Sequence, residues 1–256
     1  MISFKKLLLL ILCITLLIGS INNFVEANNK IKLSREVNEN EIVINTNHSV
    51  LHIEKNYLNK NEQINIAEKV EQGIVDVINY FGNEYLEFNF EKNKIDVYIQ
   101  SDKKQNAISS SGIIYLENVK EGFSPYISSI VYVVANEHWQ EKENWLIRGL
   151  ATYLNKRFGK YPPHPVVDKG IDELAKESIN KKEYDLVYKY FPEMYYNNTS
   201  EKTAFNRMAG SFIKYIENEY GKKNLLEIYS GSNIEETTNK SIEQLKKEWK
   251  QSLKKS

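Results

Sequence analysis

The sequence has a single cysteine among its 256 residues, and this Cys13 lies inside an apolar run near the start of the chain. If that run is removed as a leader, no disulfide and no thiolate chemistry is left. An excess of one charge is also missing, since 34 basic and 34 acidic residues are interspersed and cancel. This balance gives no electrostatic basis for binding nucleic acid or a membrane surface. Internal repeats and low-complexity segments are absent as well.

Residues 1–27 have the features of a secretory signal peptide. Two lysines precede an apolar run at 7–18, and the small-residue end at 25–27 is typical of a cleavage site. We therefore expect a secreted or cell-surface protein with no membrane contact beyond this segment. The alternative is an uncleaved N-terminal anchor, because the apolar run approaches the length that spans a bilayer.

The remainder, roughly 230 residues, is enough for one sizeable core. Its polar start, 28–40, is expected to be a flexible lead-in. We expect a single domain over 41–256, with a sheet lobe that includes the first site helix at 41–139 and a helical lobe at 140–256.

Short β-type runs and one long helical pattern fill the first lobe. The stretch 41–54 predicts a hairpin that turns around 45–49. Apolar residues at helical spacing predict a helix from Asn61, ended by Gly82 in a left-handed cap. Three further strands are predicted, at 86–90, 95–99 and 113–116.

The stretch SPYISSIVYVVANEHWQEKENWLIRGLATYL predicts two helices that meet at a short polar corner. Ser124 and Pro125 are typical of an N-cap and a first helical turn. The apolar spacing over 127–134 predicts a first helix that is largely buried. A second helix is expected from 145 to about 156, with Asn144 as its cap.

The run Trp-Leu-x-x-Gly-Leu-Ala-x-Tyr-Leu at 145–154 resembles the second active-site helix of gluzincin metallopeptidases of the peptidase MA-like group. In that family the first helix carries H-E-x-x-H, whose two histidines bind zinc and whose glutamate polarises the zinc-bound water. A glutamate directly before the glycine of the second helix is the third ligand. The resemblance implies an α+β fold, with a zincin-like mixed sheet, an active-site-type helix pair and a C-terminal helical lobe.

None of the residues of this zinc chemistry is present. The two histidine positions fall on Ser128 and Tyr132, the catalytic glutamate on Ser129, and the third ligand on Arg148. Another register places the second histidine on His138, but it makes the corner very short. No H-E-x-x-H occurs anywhere in the chain. The resemblance therefore implies a pseudoenzyme without metal, cofactor or catalytic residues.

The resemblance also implies where a ligand would bind. In active relatives the last strand before the helix pair is a sheet edge, to which a substrate backbone adds as an extra strand. Arg148 at the cleft floor is expected either to clamp a carboxylate or to pair with a neighbouring acid. The candidate cleft residues are Gly112, Ile114, Tyr115, Arg148, Tyr153 and Phe205.

Further helices are predicted over 168–179, 203–220 and 242–253. The segment 209–226 also resembles the C-terminal helical part of the same peptidase group. Between them, the aromatic-rich segment 184–196 is expected to be a seam between the lobes or a pocket wall.

Three functions compete on these grounds. The first is an exported, non-catalytic protein that uses the cleft to bind a peptide or an extracellular protein. The second is a hydrolase with a non-standard centre: a serine at 128 or 129, or a metal held by Glu137, His138, Glu141 and His164. The third is an interaction module that uses no cleft.

Richness in Lys, Asn and Ile is typical of an AT-rich bacterial genome. His48 and His52 are expected to be exposed or hydrogen-bonded imidazoles.

Overall fold

The computed structural model describes residues 31–86, 88–101, 112–135, 144–166, 168–180 and 199–255. Over these ranges the protein is α+β, as predicted. A five-stranded mixed sheet buries one face against helices, and its core is continuous with that of the C-terminal helices.

The five strands lie in the sheet in the same order as in the chain. They are β1 (Ser34–Val37), β2 (Glu41–Asn45), β3 (Ser49–Glu54), β4 (Ile95–Ile99) and β5 (Ile113–Leu116). β1, β2 and β3 pair antiparallel, whereas β3, β4 and β5 pair parallel. From β2 to β5 alternate residues are buried, because successive side chains point to opposite faces of the sheet.

The predicted hairpin at 41–54 and the predicted strands at 95–99 and 113–116 are confirmed. Two expectations differ from the structure. β1 lies within the expected lead-in, where it pairs with β2 although all four of its residues are exposed. The described residues of 86–90 form no strand, because the chain turns at Asn89, whose side chain accepts a hydrogen bond from Glu91 N at 3.0 Å.

The described helices are α1 (Lys60–Phe81), α2 (Tyr126–Val134), α3 (Asn144–Phe158), α4 (Ile171–Asn180), α5 (Thr199–Tyr229), α6 (Ile234–Thr238) and α7 (Ile242–Lys255). α1 begins with a capping box between Asn59 and Glu62. It ends at Gly82 with φ 74° and ψ 155°, so this glycine is not the left-handed helical cap that we predict. α5 is interrupted at Gly221 (φ 86°), the predicted end of its first part.

The start of α2 differs from the prediction. Ser124 does not cap the helix; Pro125 occupies the N-cap position and no side chain accepts a hydrogen bond from the first turn. The Ser124 side chain is instead buried, and its Oγ has no hydrogen-bond partner. The helix therefore begins with its first-turn amides uncapped by any side chain.

α3 packs between α2 and α5, and the predicted adjacency of the two site helices is confirmed. Its crossing with α5 is close because Gly149 has no side chain. A Cβ there would lie 2.6 Å from Ile213 Cγ1 and 2.8 Å from the backbone oxygen of Ala209. One turn earlier, Trp145 is buried with its ring 5.3 Å from that of Phe212. The glycine and the tryptophan of the 145–154 motif thus have a packing role in this chain.

Candidate functional site: the α2–α3 face and the Glu71 cluster

Tyr132 and Arg148 meet between α2 and α3. The guanidinium of Arg148 lies beside the hydroxyl of Tyr132. Burial raises the pKa of Tyr132, although the positive charge of Arg148 and its N–H groups, which can donate to the phenol oxygen, act in the opposite direction. The phenol therefore stays protonated at neutral pH, so Tyr132 provides neither a base nor an anionic metal ligand.

Ser128 lies one turn before Tyr132 on the same face of α2. Its Oγ donates a hydrogen bond of 3.1 Å to the backbone oxygen of Ala151 on α3. Ser128, Tyr132 and Arg148 therefore all take part in contacts between these two helices. Ser129 is buried.

The other predicted cleft residues do not form one surface with this face. Ile114 and Phe205 are fully buried in the core. Gly112 is buried at the start of β5, where a Cβ would lie 2.8 Å from Phe88 Cε2. Tyr115 is half-buried on the outer face of the sheet, with its ring 5.1 Å from that of Tyr98.

Tyr153 belongs to a separate polar network that joins α1, α3 and α5. Its hydroxyl accepts a 3.0 Å hydrogen bond from Arg157, which also pairs with Glu217 at 2.9 Å. Tyr80 of α1 donates to the other oxygen of Glu217 at 2.7 Å. This network links three helices and lies apart from the Tyr132–Arg148 contact.

Within the described ranges, no group of three or more His, Cys, Asp or Glu side chains is arranged to hold a metal ion. Of the residues considered for a regrouped site, Glu137, His138 and Glu141 lie outside the described residues. His164 packs against Phe123 at 5.3 Å, and its Nδ1 accepts a hydrogen bond from Val166 N. The aromatic segment 184–196 and the signal segment 1–27 also lie outside the described ranges.

A second polar cluster surrounds Glu71, a residue of α1 that is only 1% exposed. Its Oε1 lies 2.6 Å from His48 Nδ1. Its Oε2 accepts hydrogen bonds from Thr46 Oγ1 at 2.5 Å and from His48 N at 3.1 Å. Thr46 Oγ1 in turn lies 2.8 Å from Ser49 Oγ. The carboxylate thus fixes the turn between β2 and β3 to the helix behind it.

Burial by itself disfavours the ionised form of Glu71, but the hydrogen bonds from His48 and Thr46 outweigh it and lower the pKa of the carboxyl. The side chain of His48 is 28% exposed and borders a surface cavity of about 440 Å³. The contact with Glu71 holds the His48 imidazole in one orientation. Ser49, the hydroxyl beside it, is fully buried and cannot attack a bound molecule.

The apolar pattern of α1 does not predict that Glu71 anchors the β2–β3 turn, although the position of this residue is a signal of it. Glu71 lies three positions before Ile74 and four after Ala67, on the apolar stripe of α1. A carboxylate on such a stripe is seldom buried unless it is paired. The expectation of hydrogen-bonded histidines is confirmed at His48 and also at His52, which lies 3.3 Å from both Glu41 and Asp96.

The chain matches no protein-family model, and comparisons with curated proteins and with solved structures give no match either. In the part of the chain that the structure describes, no helix combines the length and the apolar character needed to cross a membrane.

Proposed function

We propose that this protein is an exported, non-catalytic relative of the gluzincin peptidases, with a zincin-like fold, that binds an extended peptide or protein segment. The observation that carries the proposal is the contact between the Arg148 guanidinium and the Tyr132 hydroxyl. It joins two of the positions at which the resemblance expects zinc ligands, and it leaves a protonated phenol and a cation there.

The side chains at these positions are unsuitable for binding zinc, because none is a good zinc ligand and one is positively charged. A zinc site of this type needs two neutral imidazoles, a carboxylate and a water made acidic by the metal. Ser128 and Tyr132 are protonated hydroxyls at neutral pH, and Ser128 already donates to Ala151. The guanidinium of Arg148 carries a positive charge and repels a divalent cation.

β5 supports the peptide-binding part of the proposal, because it is the outermost of the strands that the structure describes on this side of the sheet. Asp96 of β4 is registered opposite Ile113, and its N–H donates to Gly112 O. In a parallel ladder this places the N–H and C=O of Ile113 on the side away from β4. An extended segment can use these groups to add as a sixth strand.

We expect the purified protein to bind no zinc. After incubation with excess zinc and desalting, elemental analysis should give well below one zinc per chain, because no imidazole or carboxylate replaces the lost ligands. The matched gain-of-function control is the quadruple variant S128H, S129E, Y132H and R148E, which should retain zinc if the helix pair has the proposed geometry. Stoichiometric zinc in the unaltered protein, together with chelator-sensitive peptide cleavage, would contradict the proposal.

Peptide binding at β5 is tested by substitutions at Ile113. Peptides selected from a displayed random library on the immobilised protein are labelled, and their affinity is measured by fluorescence anisotropy. Ile113→Pro removes the outward N–H and should weaken binding about five- to tenfold, the value of one net hydrogen bond. Ile113→Ala keeps the N–H and should change affinity less than about threefold.

Circular dichroism and thermal melting establish that both Ile113 variants are folded. The peptide-binding proposal fails if the library yields no binder, or if the proline and alanine variants bind equally well. The zinc experiment tests the α2–α3 helix pair and the peptide experiment tests the β5 edge, so either part of the proposal can fail without the other.

A further inference from the structure

A small cavity lies beyond the carboxyl end of the parallel strands, where α1 and α2 both begin. Its volume is about 180 Å³. Leu58 and Ile66 line one side and Val119, in the β5–α2 connection, lines the other. In sheets with parallel strands this end is where helix starts converge, and ligands commonly bind there.

Ser124 gives this cavity an unsatisfied donor. Ser124 is among the residues that line the cavity and is 3% exposed, and its Oγ is buried without a hydrogen-bond partner. A buried hydroxyl without a partner is unfavourable, and such groups in folded proteins are usually met by water or a ligand. Ser124 also immediately precedes the N-cap of α2.

The start of α2 adds a second reason for an anion. The helix has nine residues, no side chain caps its first turn, and Pro125 has no N–H of its own. The Tyr126 N–H is already bonded to the Ser124 backbone oxygen at 2.9 Å, so the Ile127 and Ser128 amides and the positive end of the helix dipole are what favour a negatively charged group.

Three lysines complete the electrostatics of the cavity: Lys69, Lys120 and Lys160 line it. None of them forms an ion pair with a carboxylate of the described residues. The acid among the lining residues is Glu62, whose Oε2 accepts a 2.7 Å hydrogen bond from Asn59 N in the α1 capping box. The residues that line the cavity therefore include three lysines against one glutamate, and Lys120 Nζ lies 5.8 Å from the centroid of the neighbouring Tyr57 ring.

Tyr126 ties the third lysine to the site. Its side chain is buried, and its hydroxyl accepts a 3.0 Å hydrogen bond from the backbone N–H of Lys160. This contact holds the chain beyond α3 against the start of α2, so the cationic lining is built from three separate parts of the fold.

We propose that this cavity binds the phosphate group of a small phosphate monoester, whose apolar part contacts Leu58, Ile66 and Val119. A dianion with several acceptor oxygens matches the Ser124 hydroxyl, the lysines and the α2 start together. Inorganic phosphate has the same charged oxygens, but it has no apolar group to contact this wall, so the cavity should bind a monoester more tightly. This site is independent of peptide binding at β5.

The test uses the full protein and three probes in isothermal titration at low ionic strength: phenyl phosphate, inorganic phosphate and phenol. Phenyl phosphate should bind at least about fivefold more tightly than inorganic phosphate, because its ring is removed from water. Phenol should not bind measurably, and added salt should weaken phenyl phosphate binding. Equal affinity for the two phosphates would overturn the monoester assignment, and no phosphate binding at all would overturn the site.

Variants separate the site from general charge effects. Ser124→Ala should weaken phenyl phosphate about fivefold while Tm stays the same or rises, because the variant loses an unsatisfied buried hydroxyl. Lys69→Gln and Lys160→Gln should each weaken it about two- to fivefold. Lys247→Gln, an exposed change of equal charge on α7, should have no effect. Unchanged affinity in Ser124→Ala, or an equal loss in Lys247→Gln, would contradict the proposal.

Discussion

Replacing Glu71 by alanine is expected to lower the free energy of unfolding by about 3–5 kcal/mol, the range observed when one partner of a buried, hydrogen-bonded charge is removed. The carboxylate accepts from Thr46 Oγ1 and His48 N and lies 2.6 Å from His48 Nδ1. Alanine would leave the Thr46 hydroxyl and the His48 N–H without this acceptor. Urea unfolding at pH 7 measures the effect. Glu68→Ala, an exposed change three residues earlier on α1, is the matched control and should stay within about 0.5 kcal/mol.

The same carboxylate predicts a pH dependence. The pKa of Glu71 is lower in the folded protein than its ordinary value of 4.5. Its ionised form therefore stabilises the fold fully above the unfolded pKa, and this contribution is lost as the pH falls through the folded pKa. Glu71→Gln removes the titrating group, so its stability should fall less steeply than that of the wild type below about pH 4.5. Parallel acid profiles for the two proteins would contradict this assignment.

Replacing Gly149 by valine should destabilise the protein by about 3 kcal/mol or more, because a side chain there would separate α3 from α5. Even a Cβ would lie 2.8 Å from the Ala209 backbone oxygen, which cannot move without the helix that carries it. Overpacking of this kind commonly costs about 1–3 kcal/mol per site, and the two additional methyl groups of valine increase it. Thermal and urea unfolding provide the measurement.

Two other glycines are controls for that prediction. At Gly210, on the facing side of the crossing, a Cβ would meet the Thr152 side chain at 3.2 Å, so Gly210→Ala should have a smaller effect. At Gly170 nothing lies within 4 Å of a Cβ, so Gly170→Ala should cost only the effect of alanine at the N-cap of α4, about 1 kcal/mol or less. A Gly149→Val protein as stable as Gly170→Ala would show that the two helices do not cross this closely.

Periodicity predicts those elements that bury one face. In α4 the buried residues Ile171, Leu174, Ala175 and Ser178 are those that the helical spacing selects. A capping box between Ser241 and Gln244, a local sequence signal of a helix start, also forms at the beginning of α7. In such elements local pattern and tertiary burial agree, so the sequence carries enough information.

Other elements depend on contacts that no local pattern reveals. β1 buries no side chain and is held by main-chain pairing with β2, so it has no apolar alternation to detect. Phe88 and Phe90 alternate as in a strand, but they pack ring against ring at 4.7 Å instead. Phe90 also contacts the His48 ring edge-on at 5.5 Å.

In the candidate site, too, local sequence patterns predict some features, whereas others depend on tertiary contacts. Helical geometry predicts that Ser128 and Tyr132 face α3, because positions one turn apart lie on the same side of a helix. It does not predict that Ser128 would donate to a backbone oxygen or that Arg148 would reach the Tyr132 hydroxyl, since both depend on how the helices are placed. The pairing of Glu71 with His48 joins residues 23 positions apart in the chain and requires the same tertiary information.

The order of the strands has a consequence for how the sheet assembles during synthesis. Each described strand after β1 pairs with the one before it in the chain, so none has to insert between two strands that are already paired. The β1–β2 and β2–β3 turns close short loops, whereas the β3–β4 pairing must wait for the whole of α1. As the chain emerges with its N-terminus first, the sheet can therefore grow strand by strand from one edge. At each stage the newest strand is the template for the next, and β5 is the last of the five to be added.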